Sequence, residues 1–463
     1  MTMPDPHKKV AVVGSNLCNL IFMLENQAQP VCDISYFGDP ELPTGHFSGL
    51  RIAEIDAVVD LGMVLFEFES YRQMAKLDVA EYQLETPCDS GRFSARLEAY
   101  FNELGFSFVV TAPLLSWYQG ELQPDVVIAN HLDLLELMPS GVRVQVKNEL
   151  RQLTERAEDP LHPRRKTLWS TDRPVDLAAA LRSSSGPTLS EHLWLPYCRN
   201  FGVDDASQID GRLHRSIWLP LFYPESLLEY LESGRQNFAP SCFHRPEGMN
   251  TAQLIRQLSG RVQLDALAEV NPLDVEHPID QQRLQKFDFV LFGASASFLP
   301  APGFEPATPQ DCGSIVLHYL EFTNPAPIDF QVINVLDPDL CIYRLSRVFV
   351  SAEVELLCVE QRYNEDTDLA SHQQLVGEEL RKFGLYNGSP PASPLKSIVA
   401  KGALKLPSFA NAAASASERE ALGHCHASLH TTGANAPYGS RSFNDQCIHA
   451  LQLFQLIAGN HAR

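Results

Sequence analysis

Near its start the chain carries a short apolar run, Lys9-Val10-Ala11-Val12-Val13, that stops at Gly14. A β-branched run ended by glycine predicts a parallel strand covered on both faces. Leu17, Leu20, Ile21 and Leu24 follow at helical spacing, and 33–39 (DISYFGD) predicts a second strand. Strand, tight turn, helix and strand within about 30 residues form a βαβ unit. Beyond it, 55–68 is apolar around a central glycine, 92–105 reads as a helix, and 106–146 reads as β-rich, the alternation VRVQV included. The polar stretch 150–187 reads as loop and mobile helix, and 188–258 as mainly helical. Strands are expected at 262–270, 287–295, 314–322, 329–336 and 354–363, a helix at 369–383, and a surface loop at 387–396 (NGSPPASPLK). The chain closes on a strand-like HASLHTTG and an amphipathic helix, DQCIHALQLFQLIAG. No internal repeat is visible.

Composition narrows the class. The 463 residues make about two or three domains' worth of chain, and 44% apolar with 20% charged residues is a globular mixture. The 57 acids against 36 bases give a net charge of −21. Such a surface argues against nucleic-acid or anionic-membrane partners, since both need cationic patches. Ten cysteines are scattered with no C-x-x-C pair, many in apolar stretches such as DLCIY and ELLCVE. That suits buried free thiols in a reducing compartment. With no signal-peptide core ahead of the first strand and no long apolar run, a cytoplasmic location is expected.

The turn after the first strand is the first candidate for chemistry. In a Gly-x-Gly-x-x-Gly turn the glycines let backbone approach a pyrophosphate, which then lies on the helix N-terminus. The hexad here is Gly14-Ser15-Asn16-Leu17-Cys18-Asn19, so asparagine stands at the second and third glycine positions. Asparagine tolerates positive φ and its amide can donate to phosphate, but its side chain takes space that a cofactor uses. The acid that usually ends the second strand falls at Gly38, with Asp39 next in line.

Taken in order, several further segments resemble flavoproteins of the amine-oxidase and UDP-galactopyranose-mutase type. Glu41-Leu42-Pro43-Thr44-Gly45-His46 stands where that superfamily has a Gly-Gly-Arg segment, and Val59-Asp60-Leu61-Gly62-Met63-Val64 is similar to its strand beside the flavin. The stretch from Thr188-Leu189-Ser190-Glu191-His192 to Phe201-Gly202 resembles a helical segment of mutase-like members. His244-Arg245-Pro246-Glu247-Gly248-Met249 is similar to a Y-P-x-G-G turn, and Ala268-Glu269-Val270 to the adenine-side segment. Phe287 to Ser295 and the closing turn from Gly433 to Asp445 complete the series. The resemblance implies an α/β fold: a discontinuous Rossmann-like FAD domain (1–70, 235–300 and 400–463) and an inserted α+β substrate domain (71–234 and 301–399). It implies FAD as cofactor, with contacts at Gly14, Ser15, Asn16, Asn19, Asp39, Gly45, His46, Gly62, Met63, Val270, Gly433, Arg441, Asn444 and Asp445.

Arg344 aligns roughly with an arginine near the active site of mutase-like members, and Tyr343 adjoins it. At a strand end an arginine clamps a phosphate or carboxylate by two parallel hydrogen bonds; equally, it pairs with one of the surplus carboxylates. A strand over 424–430 would put His424, His426 and His430 on one face, but the resemblance places that strand beside the cofactor and no metal is expected. The basic run Pro163-Arg164-Arg165-Lys166 reads as a solvated loop. No hydrolase or Walker motif is present. Two functions remain open: an FAD-dependent oxidoreductase or mutase acting on a small polar or sugar-like metabolite, with a homo-oligomer allowed, or a descendant that has lost FAD and serves as a binding or partner subunit.

Overall fold

The computed structural model describes residues 8–42, 45–68, 90–155, 175–272, 279, 281–294, 312–323, 325–433 and 442–459. Cys88, the run 163–166, Ser295 and Arg441 lie outside them. The strands are β1 (Lys8–Val13), β2 (Cys32–Phe37), β3 (Leu50–Ile52), β4 (Ala57–Val59), β5 (Phe108–Val110), β6 (Leu114–Tyr118), β7 (Glu121–Pro124), β8 (His244–Pro246), β9 (Glu269–Asn271), β10 (Phe289–Phe292), β11 (Cys312–Glu321), β12 (Val332–Val335), β13 (Ile342–Phe349), β14 (Glu355–Arg362), β15 (Lys396–Lys405) and β16 (Leu429–Thr431). The helices are α1 (Leu17–Ala28), α2 (Ser90–Glu103), α3 (Ser140–Glu155), α4 (Leu177–Leu189), α5 (Leu195–Asn200), α6 (Pro224–Ser233), α7 (Thr251–Ser259), α8 (Gln281–Leu284), α9 (Leu369–Phe383), α10 (Phe409–Cys425) and α11 (Phe443–Ile457).

The first sheet has the order β16-β10-β1-β2-β9 and every pairing in it is parallel. Val10, Ala11, Val12 and Val13 are fully buried, because α1 and α11 cover one face and α10 reaches the other through Leu422 and Cys425. The chain leaves β1 toward β2 on one side and returns through β10 on the other. The carboxyl end of β1 is therefore the switch point, where open α/β sheets form their crevice.

The second sheet runs β15-β11-β14-β13-β12-β6-β7. It is antiparallel except where β12 meets β6. One face packs on α9 through Val376, Leu380 and Phe383. The other meets a helical layer that includes Leu181, Trp194, Tyr197 and Phe222. The mixed α/β architecture matches the expected class.

Several local expectations need correction. VRVQV is not a strand: it opens α3, with Val146 and Leu150 buried and Val144 59% exposed. Alternating valines mimic the strand period, but the apolar series continues at helical spacing to Leu150 and Leu153, and packing decides. Residues 125–131 form a buried loop around Asp125, whose carboxylate accepts the N–H groups of Ile128 and Ala129. The strand expected at 262–270 shrinks to β9, and the segment Val59–Val64, likened to a strand, meets β4 only at Val59. His424 lies in the last turn of α10, so the three histidines do not share a strand face; the His426 ring meets Phe287 O and His430 stacks on Phe289. Cys341, expected to be buried, is exposed. β15 and α10 were not anticipated.

Candidate functional site

The crevice at the end of β1 is built by the turn itself. Gly14 has φ +80° and donates its N–H to Phe37 O at 2.7 Å. A Cβ there would stand 2.7 Å from Ala294 N, so the glycine is required by the contact with the end of β10. Asn16 is the N-cap of α1: its Oδ1 accepts the Asn19 N–H at 2.9 Å. Its Nδ2 crosses the crevice and donates to Thr432 Oγ1 at 3.1 Å, just past β16. Asn19 is fully buried and donates to Val13 O at 3.1 Å and Gly14 O at 2.8 Å, while its Oδ1 accepts the Thr432 hydroxyl at 2.9 Å. A Cβ on Gly293 would lie 1.8 Å from Asn16 Nδ2, and one on Gly433 would lie 2.9 Å from Asn16 Cγ. Asn16 therefore fills the space between two flanking glycines.

The β2 side is closed in the same manner. The buried Tyr36 hydroxyl lies 2.5 Å from Ser15 Oγ and 3.0 Å from Asp39 O. A Cβ at Gly38 would be 2.2 Å from that hydroxyl, which is why this position carries no acid. The Asp39 carboxylate caps Glu41 N at 2.8 Å and faces solvent. Gly45 and His46 are exposed; a Cβ on Gly45 would meet nothing within 4 Å, and His46 rests on Phe47 with 3.8 Å between centroids. Val270 is 37% exposed on the edge strand β9.

These residues do not fit a dinucleotide held in the usual way. A pyrophosphate needs free N–H groups at a helix N-terminus and room at the second glycine. Here Asn16 supplies the cap and occupies the room. At the closing turn, Ser442 Oγ takes Asp445 N at 3.0 Å, and the Asn444 side chain donates to Glu67 O.

At the other end of the expected site, the Gly62–Met63 segment lies against the second sheet. Met63 N donates to Glu360 Oε1 at 3.2 Å, and a Cβ on Gly62 would be 3.2 Å from the same oxygen. Arg344 grips Glu360 with two bonds, Nε to Oε1 at 2.8 Å and Nη2 to Oε2 at 2.6 Å, and the Tyr343 hydroxyl adds a third at 2.8 Å. The ion pair is buried, with side chains 9% and 2% exposed. Burial works against the guanidinium charge, but Glu360 outweighs it, so the Arg344 pKa sits above its ordinary value. Burial and then Glu360 push the Tyr343 hydroxyl well up. Both residues expected to carry chemistry are thus committed to one carboxylate. Glu360 itself was missed; the clue was an acid closing the apolar run LLCV. Tyr36 and Thr432 were missed as well, since nothing local marks them.

Register extends this cluster into a polar row. Glu360 pairs with Arg344, Arg344 with Asn334, and Asn334 with Ser116 across four strands. Asn334 Nδ2 and Ser116 Oγ both donate to the buried Asp125, at 2.9 and 2.8 Å. Arg344 Nη1 and Asn334 Oδ1 are buried without a protein partner, as is Ser346 Oγ further along β13. Unmet buried polar atoms cost roughly 1–3 kcal/mol each, so such a group in a stable protein calls for water or ligand.

Asp60 caps α7 through Thr251 N at 3.2 Å and Ala252 N at 2.6 Å, and its backbone oxygen accepts the Tyr319 hydroxyl at 2.7 Å. Burial raises its carboxyl to about 6 against the pull of those N–H groups. Beside it lies a cavity of about 20 Å³. A larger, open cleft of about 570 Å³ lies among Trp117, Tyr118, Glu191, Asp337 and Lys382. No helix among the described residues is long and apolar enough to cross a membrane.

The sequence matches no protein-family model and no curated protein. The structure is similar to a reduced UDP-galactopyranose mutase, with a TM-score of 0.66 and 12% identity over 98% of this chain and 96% of that one. It is also similar to a protein described as a protoporphyrinogen oxidase from Exiguobacterium sp. 255-15, with a TM-score of 0.60 and 16% identity over 99% and 100% of the two chains. A third likeness is to cyclohexylamine oxidase from Brevibacterium oxydans IH-35A, with a TM-score of 0.53 and 13% identity over 99% and 100%. At these identities the likeness establishes the fold: the full-length α/β architecture of amine-oxidase-like and mutase-like flavoproteins.

Proposed function

We propose that this chain keeps the flavoprotein fold but does not hold FAD in the β1–α1 crevice, and acts as a ligand-binding or partner subunit. One observation carries the reading: Asn16 caps α1 and bonds Thr432 across the place where a pyrophosphate would lie. The Tyr36–Ser15 contact supports it at the ribose side. No catalytic step is assigned, because Arg344 and Tyr343 are bound to Glu360.

A second reading, an FAD-dependent oxidoreductase or mutase of a small polar metabolite, draws support from expected cofactor contacts that stay open: Gly45, His46 and Val270 are exposed. The visible absorption spectrum of the purified protein, taken before and after incubation with excess FAD and gel filtration, separates the two. A colourless protein whose melting temperature ignores FAD is expected. Stoichiometric flavin bands that survive filtration would overturn the proposal and restore the oxidoreductase reading.

A further inference from the structure

The small cavity beside Asp60 is walled by residues 60–65, by the turn 245–251 and by the end of β13. Its polar atoms are unbalanced. Ser346 is 2% exposed and its hydroxyl has no partner; across the ladder it faces Val332, which offers none. Arg347, the next residue along β13, points to the opposite face, where its guanidinium packs on Phe322 and Phe330 and its two terminal nitrogens are taken by Asp329, Phe330 O and Glu355. Arg245 lies over the Phe349 ring, 5.1 Å from its centroid, and makes one long bond, 3.4 Å, to Pro246 O. Among the described residues no carboxylate comes within ion-pair distance of it, in a chain with 21 more acids than bases.

The side-chain acceptors of Asp60 and Asn250 at the cavity are already occupied. Both Asp60 oxygens take N–H groups of α7, and Asn250 Oδ1 takes Gln253 N. What is left over is the Arg245 guanidinium and the Ser346 hydroxyl. A surplus of donors selects a group made of acceptors, and a guanidinium fork matches a planar or tetrahedral oxyanion. A water needs about 10–15 Å³ of such space, so 20 Å³ takes an oxyanion head and no larger part of a metabolite.

We propose that Arg245 and Ser346 form a subsite for the oxyanion group, carboxylate or phosphate, of a small ligand. This deepens the binding-protein reading by giving its ligand an acidic head. The subsite is distinct from the open cleft: one is lined by Val332 at the start of β12 and the other by Leu336 just past its end, about 13 Å apart along extended chain.

Isothermal titration and thermal shift on the full chain test this, with sodium acetate and inorganic phosphate as separate probes against chloride at constant ionic strength. One probe is expected to raise the melting temperature of the wild-type chain, and whichever does so identifies the head group. Ser346→Ala and Arg245→Gln are each expected to weaken that probe at least tenfold. Ser346→Ala is further expected to leave the ligand-free melting temperature unchanged or higher, since it deletes a hydroxyl that has no partner. The proposal is overturned if neither probe binds, if both variants bind as the wild type does, or if Ser346→Ala melts much lower in the absence of ligand. A chain that retains FAD yet loses acetate or phosphate binding on Arg245→Gln would sink the cofactor-free reading and leave this subsite standing.

Discussion

The β1–α1 turn and the crevice-facing side of the second sheet are both lined by polar side chains, but their hydrogen bonding differs. At the turn, Asn16, Asn19 and Thr432 bond one another and the backbone, and Tyr36 closes on Ser15. On the second sheet, Arg344, Asn334 and Ser346 each keep a buried atom without a partner. A region that satisfies itself has nothing to offer a ligand. A region with unmet donors and acceptors bears a cost that water or ligand relieves. The difference moves the candidate site away from the expected dinucleotide crevice and onto the sheet.

The largest effect that would sharpen this contrast is expected at the buried pair. Arg344→Met leaves the buried Glu360 carboxylate without its counter-ion, and should cost about 3–5 kcal/mol by urea unfolding. The double variant Arg344→Met/Glu360→Gln should recover most of that loss. If Arg344 instead served a ligand first, the single variant would lose ligand affinity with little change in stability.

The next effect is in pH. His318 is fully buried between Ser397 and Gln361, and burial lowers its pKa from 6.5 to about 4, with His372 adding to the shift. The folded form thus binds fewer protons than the unfolded chain between those values. The stability this contributes is complete above about pH 6.5 and is lost as pH falls toward 4, up to about 3 kcal/mol. His318→Gln should flatten that acid slope in urea titrations; an unchanged slope would assign the acid sensitivity elsewhere, His449 being the other buried histidine with a value near 4. Asp60 works in the opposite sense over part of this window, because its raised pKa favours the fold at low pH.

The smallest effect separates the two readings of the turn. Asn16→Ala removes a helix cap and should cost about 1 kcal/mol, without any change in the response to FAD. A variant as stable as the wild type in the absence of nucleotide would mean that Asn16 serves a phosphate and not the helix.

Much of the fold was legible because its signals are local. The strand ending at Gly14, the spacing of Leu17, Leu20, Ile21 and Leu24, and the helix at 369–383 all follow from neighbours within a few residues. The order of segments along the chain carried the flavoprotein likeness even though two glycines of the turn had become asparagine. VRVQV failed because five residues cannot separate a strand from a helix whose packing lies further along α3.

The site was another matter. Sequence alone established that Asn16 and Asn19 replace glycines, that Gly38 replaces an acid, and that Arg344 stands among surplus carboxylates. Which carboxylate holds Arg344, and whether Asn16 faces a phosphate or the protein, were decided only by tertiary contacts. Asn16 and Thr432 are 416 residues apart in the chain, and Met63 and Glu360 are 297 apart. Local preference sets the strand, the helix and its cap. The partner of a side chain in a crevice is set by whatever distant segment the fold brings within hydrogen-bonding reach, and no pattern of neighbours along the chain encodes that.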